Sequence, residues 1–138
     1  MALIDTGPLV ALLDPHDGRH VAAVRVLRNL LGPVTTTWAV MTEAMYLLGR
    51  GGGWHSQAPL AELVQSRGIA VADFSSALGR RTMTLMEAYA DVPMDFADAS
   101  LVALAEALQE FHIVTFDNDF RVYRAVGGQT LVVLDGSA

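Results

Sequence analysis

Four carboxylates in this 138-residue chain stand in apolar company. Asp5 follows Ala-Leu-Ile, Asp98 lies within MDFADASLVALAEAL, Asp117 follows HIVTF, and Glu43 is the single charged residue between Trp38 and Leu48. A carboxylate in such surroundings needs a compensating partner. For Glu43 the helical neighbours three and four positions away are Ala39, Val40, Tyr46 and Leu47, which leaves no polar face to receive it and predicts burial. All nine basic side chains are arginines, scattered along the chain, so four separate buried ion pairs are not expected. Carboxylates forced together repel, and a hard divalent cation such as Mg²⁺ or Mn²⁺ is the natural partner of an all-oxygen site. Such a site suits phosphodiester chemistry, because the ion lowers the pKa of a bound water, polarises the phosphoryl oxygen and stabilises the leaving oxygen.

Two of these acids also have a purely structural reading. Asp5 is placed to cap a helix starting near Gly7, and Asp95 to cap another, with Asp98 three residues later in a capping-box position. Glu43 lies inside a helical pattern and has no such role. The four histidines, His16, His20, His55 and His112, show no ligand spacing on a regular helix and read as surface or turn residues. Met41, Met45, Met83 and Met86 fit helical packing or a dimer face, with core the default reading.

The elements that must position the acids follow from periodicity and punctuation. Ala2 to Asp5 reads as a short buried strand, and Pro8 sits in the first turn of a helix running to Leu13. A helix is predicted over His20 to Leu31, a β-branched strand at VTTT, and a helix over WAVMTEAMYLLGR. Glycines 51 to 53 are expected to break the chain before a helix near Ser56 to Ser66. IAVAD follows as a strand, Ala77 to Ala90 as a helix, Asp95 to Leu108 as another, and HIVTF and TLVVLD as the last two strands. Strands separated by helices predict a parallel sheet covered on both faces. Ligands gather outside the carboxyl ends of such strands, where strand order reverses. Asp5 and Asp117 occupy such ends.

With those elements in order, the sequence resembles the PIN-domain nucleases over nearly its whole length. The resemblance is carried by LIDTGPLVALLD, TTTWAVMTEAMYLL with Glu43, DFADASLVALAEA with Asp98, and IVTFDNDF with Asp117. It implies a three-layer α/β/α fold around a central parallel sheet, a Mg²⁺- or Mn²⁺-dependent centre and ribonuclease activity. Asp5, Glu43, Asp98 and Asp117 match the family's catalytic and metal-holding acids. Thr6, Thr115 and Asp119 match supporting positions, and Asp95 is grouped with them. The compact chain is most similar to VapC-type toxins, which implies RNA as substrate, a cognate antitoxin protein and a homodimer.

Bulk properties bound the alternatives. The length predicts one domain over residues 1–138, and a 52% apolar composition suffices for its core. No stretch is long enough to span a membrane, and a soluble cytoplasmic protein is expected. Cysteine is absent, which removes thiolate metal sites and nucleophiles. LIDTG also resembles an aspartic-protease loop, but that fold is all-β. Phosphoacceptor receivers and haloacid-dehalogenase-like phosphatases place an aspartate after the first strand yet rely on lysine. Two further readings stay open: a PIN-like scaffold that binds RNA or protein without cutting, and a stand-alone RNA-processing nuclease. The formal charge of −6 argues against broad phosphate binding and restricts any RNA contact to a local arginine rim.

Overall fold

The computed structural model describes residues 1–137. Strand β1 (Ala2–Ile4) is buried at all three positions, which suits a strand covered on both faces. Asp5 then caps helix α1 (Thr6–Leu13), accepting the Thr6 N–H at 2.7 Å. Helix α2 (His20–Asn29) and strand β2 (Val34–Thr36) follow, and Thr37 caps helix α3 (Trp38–Gly52). Helix α4 (Trp54–Gln65) and strand β3 (Ala70–Val71) lead to helix α5 (Ser76–Ala88). Helix α6 (Phe96–Leu108) feeds strand β4 (His112–Val114). A single turn of 3₁₀ helix at Asn118–Arg121, a two-stranded hairpin of β5 (Arg124–Ala125) and β6 (Gln129–Thr130), and strand β7 (Val132–Leu134) end the chain.

The main sheet has the order β3-β2-β1-β4-β7, and every pairing in it is parallel. Leu3 stands opposite Thr35 on one side and Ile113 on the other. The chain moves outward from β1 through β2 to β3, then returns to add β4 and β7 on the opposite side. Strand order therefore reverses at β1 and β4, the position where open parallel sheets hold ligands. The α/β architecture expected from the alternation of elements is the one observed, a central parallel sheet flanked by helices. Helix α6 is buried from Ala99 through Ala105 because it packs against both α3 and α5. A helix enclosed in this way is apolar nearly all round.

Three local expectations are corrected. The glycine run does not break the chain at residue 51: α3 continues through Gly52, and α4 begins at Trp54 rather than near Ser56. Only Gly53 leaves the helical path, at φ +59°, because one left-handed residue is enough to end one helix and start the next. TLVVLD is not one strand. Gln129 and Thr130 pair antiparallel with Ala125 and Arg124, and β7 starts beyond Leu131 alongside β4. Met83 is 57% exposed and does not join the core that contains Met41 and touches Met45 and Met86. Among the described residues no helix is long and apolar enough to cross a membrane.

Candidate active site

Asp5 enters the site from the end of β1 and is only 8% exposed. Its two carboxylate oxygens are held separately: Oδ1 by the Thr6 N–H, and Oδ2 by the Thr115 hydroxyl at 2.8 Å. Thr115 follows β4, so the bond ties the two central strands together just past their carboxyl ends. The same Thr115 oxygen accepts the Asp117 N–H at 3.0 Å, and Asp117 Oδ1 accepts the Asp119 N–H at 2.9 Å. This chain of contacts sets the loop between β4 and the 3₁₀ turn. Thr6 Oγ1, by contrast, is buried without a hydrogen-bond partner.

Asp98 arrives from the first turn of α6. Asp95 caps that helix by accepting the Asp98 N–H at 2.8 Å. Among the described hydrogen bonds the Asp98 side chain does not close the capping box. Its Oδ2 instead lies 3.4 Å from the hydroxyl of Tyr123, which also donates to the Pro93 carbonyl at 2.9 Å. Tyr123 is fully buried, with edge contacts to Tyr89 and Phe120. Sequence reasoning missed it, because one tyrosine in RVYRAV carries no spacing signal that separates it from a core aromatic.

The acids sense one another. Burial pushes Asp5 up to about 6, opposed by its bonds to Thr115 and Thr6 and reinforced by the charges of Glu43 and Asp117. Burial likewise lifts Asp98, to about 8, with the charges of Asp95, Asp5 and Asp117 adding to it. The Tyr123 hydroxyl is raised mainly by burial and then by Asp98, Asp119 and Asp117. Asp5, Glu43, Asp98 and Asp117 thus belong to one electrostatic neighbourhood built from two strand ends and two helices. The capping roles are present as well, since Asp5, Asp95 and Asp117 each accept a local backbone N–H.

Glu43 corrects the expectation of burial. It is exposed on the uncovered side of α3, beside Trp38, Thr42 and Tyr46, and lines a groove with Phe74, Asp95 and Phe96. That side of the helix carries large aromatic residues yet faces solvent, so a residue count along the sequence mistook it for core.

The donor set fits a hard divalent cation in its chemistry. It offers oxygens only, its charges repel, and among the described residues no ion pair links any of the four acids to an arginine. Among the described residues no three His, Asp or Glu side chains are gathered tightly enough to grip an ion on their own. Mg²⁺ commonly keeps several waters and takes only one or two carboxylates directly. The histidines stay outside: His20 bonds the Ala11 carbonyl at 2.7 Å and His112 lies 3.0 Å from Glu110.

The parallel sheet order, with Asp5 at the end of β1 bonded to Thr115 just past β4, is the frame in which the class is recognised. The chain belongs to the PIN domain family, whose model matches residues 2–126. In fold it is similar to VapC20 of Mycobacterium tuberculosis, a toxin that cleaves the sarcin–ricin loop (TM-score 0.83, 24% identity, 88% of this chain and 94% of that one). It is also similar to a chain of a toxin–antitoxin complex from Klebsiella pneumoniae (TM-score 0.71, 19% identity, 99% of this chain and 98% of that one). A third likeness is to VapBC2 from Rickettsia felis bound to a DNA fragment from its promoter (TM-score 0.68, 17% identity, 97% and 98% covered). No curated protein sequence matches the chain.

Proposed function

We propose that this protein is a divalent-metal-dependent endoribonuclease and the toxin of a toxin–antitoxin pair. The observation that carries the reading is Asp5 at the carboxyl end of β1, its Oδ2 held by Thr115 just past β4 at the switch point of a PIN fold, and the mutual influence of the Asp5, Asp98 and Asp117 charges supports it. Asp5, Asp98, Asp117 and Glu43 would hold Mg²⁺ or Mn²⁺. When bound, the ion supplies Lewis-acid polarisation of the phosphate and a more acidic water. Thr115 and the Thr6 N–H keep Asp5 in one rotamer, and Asp95 fixes the first turn of α6 so that Asp98 faces the same pocket. Water rather than the ribose 2′-hydroxyl attacks phosphorus, the P–O3′ bond breaks and the 3′-oxygen leaves with a proton, so cleavage leaves a 5′-phosphate and a 3′-hydroxyl.

The structural likeness to chains from toxin–antitoxin complexes supports a cognate antitoxin protein as partner, and a homodimer acting in the cytoplasm is proposed alongside it. The test is purification free of partners, then incubation of single-stranded RNA with EDTA, Mg²⁺ or Mn²⁺ and mapping of the product ends. Cleavage with either metal and none in EDTA is expected. A 2′,3′-cyclic phosphate end overturns the mechanism, and RNA retained uncut in both metals favours a binding scaffold instead.

A further inference from the structure

We infer that Arg19 is the residue that grips a backbone phosphate of the substrate strand at the lip of the acid pocket, an assignment that rests on the ribonuclease reading above. The arginines are not equivalent. Arg81 is committed to Glu106 through two bonds of 2.8 Å, Arg121 reaches Asp135 at 3.1 Å, and Arg124 spends Nη1 on the carbonyls of residues 121 to 123. Arg19 is exposed, and among the described residues it has no carboxylate partner.

Its position is nonetheless fixed. The guanidinium lies over the ring of Phe116, 4.9 Å from the centroid, and Nη1 donates to the Phe116 carbonyl at 3.4 Å. The backbone beneath it is pinned as well, with the Arg19 N–H on Asp17 Oδ1 at 2.8 Å and the Arg19 carbonyl accepting from Ala23 at 3.0 Å. Phe116 stands between Thr115 and Asp117, so the loop that orients Asp5 also carries the platform for Arg19. Gly7 faces that platform from the first turn of α1: a Cβ there would lie 3.7 Å from Phe116 Cδ2. Beside Asp117, therefore, a stacked cation and an aromatic ring stand next to a residue with no side chain, Gly7.

Stacking orients the planar guanidinium while leaving most of its N–H groups for a ligand, and that planar fork matches phosphate oxygens. A chain of net charge −6, with further acids inside the pocket, repels a polyanion at long range. A fixed cation beside those acids supplies the local attraction and seats the strand so that the adjacent phosphate meets the carboxylates.

The experiment measures binding of a labelled, mixed-sequence single-stranded RNA to the cleavage-impaired Asp98→Asn protein across a salt series. Adding Arg19→Ala is expected to weaken binding by about 5- to 10-fold at low salt and to flatten the slope of log K against log salt by about 0.7, one phosphate contact's share for a single strand. Arg19→Lys should retain the slope but lose part of the affinity, and Phe116→Leu should fall between. Arg124→Ala, whose guanidinium serves its own backbone, should leave the slope unchanged. Thermal melts of the Arg19 variants should match the parent. Unchanged affinity and slope in Arg19→Ala, in a parent that binds RNA, overturns the assignment alone. A parent that neither binds nor cuts RNA overturns the ribonuclease reading and Arg19's role with it.

Discussion

At Asp98 and Asp5, burial and like charges hold two carboxyls above the range they occupy in an unfolded chain, about 8 and about 6 respectively. The unfolded values lie near about 4. Between that pH and 8 the folded state binds more protons than the unfolded one, so stability falls as pH rises through this window. In EDTA the melting temperature should therefore drop steadily from about pH 5 to pH 8, and Mn²⁺ should flatten the decline. Asp98→Asn removes a repelling charge at almost constant volume. It should lose cleavage by on the order of a thousandfold or more, melt at or above the parent at pH 8 in EDTA, and gain less from Mn²⁺. A variant that gains as much from Mn²⁺ as the parent would remove Asp98 from the site. Tyr123→Phe keeps the edge contacts to Tyr89 and Phe120 but loses the hydroxyl that spans Pro93 and Asp98. Its expected signature is a kcat lowered by about tenfold with KM for RNA little changed, and a stability loss of about 1 kcal/mol; equal activity in single-turnover assays would reduce Tyr123 to packing alone. The placement of Asp5 at a strand end and of Asp98 at a helix start was legible in the sequence because charge in an apolar run is conspicuous, whereas the same signal wrongly buried Glu43. Tyr123 was not legible, since its importance comes from what its hydroxyl meets 25 residues away in sequence.

Helix ends, more than helix interiors, escaped the sequence. The runs that form α3 and α6 are apolar enough to identify unaided, and both caps, Thr37 and Asp95, are standard N-cap types. The three consecutive glycines read as one break because propensity treats them alike, whereas the backbone distinguishes them. Gly51 lies in α3 with open space where a Cβ would project, while Gly53 sits at φ +59°. Gly51→Ala should accordingly stabilise the protein by up to about 1 kcal/mol, and Gly53→Ala should destabilise it by about 1 to 2 kcal/mol. Denaturant midpoints of the two variants moving in the same direction would refute this assignment of the helix junction. TLVVLD misled for a related reason. Its β-branched residues favour extended backbone, but which neighbour each half pairs with is decided by β5 and β4, far from any local signal.

Over the whole molecule, a ligand bound only by the native state raises stability by mass action, about 2.7 kcal/mol at a hundredfold excess over Kd. Mn²⁺ titrations followed by thermal melts should show that dependence in the parent and lose it when Asp5 and Asp98 are both changed to Asn. The sheet makes a second demand. Strand β7 pairs along the full length of β4, and the Leu134 carbonyl accepts the N–H of Thr115 at 3.2 Å. A chain ending at Leu131 leaves the edge of β4 open and Thr115 without that anchor. It should lose cooperative melting by circular dichroism, and a truncated protein that still melts sharply and cuts RNA would contradict this dependence. The order in which a ribosome delivers the chain gives this pairing a further meaning. Asp5 and Asp98 are both made before Leu134, and the threonine that orients Asp5 takes its backbone anchor from that residue, more than a hundred positions after Asp5. A nascent polypeptide thus carries Asp5 and Asp98 before the strand that anchors Thr115 exists, and the contacts that orient Asp5 are complete only once β7 has paired with β4.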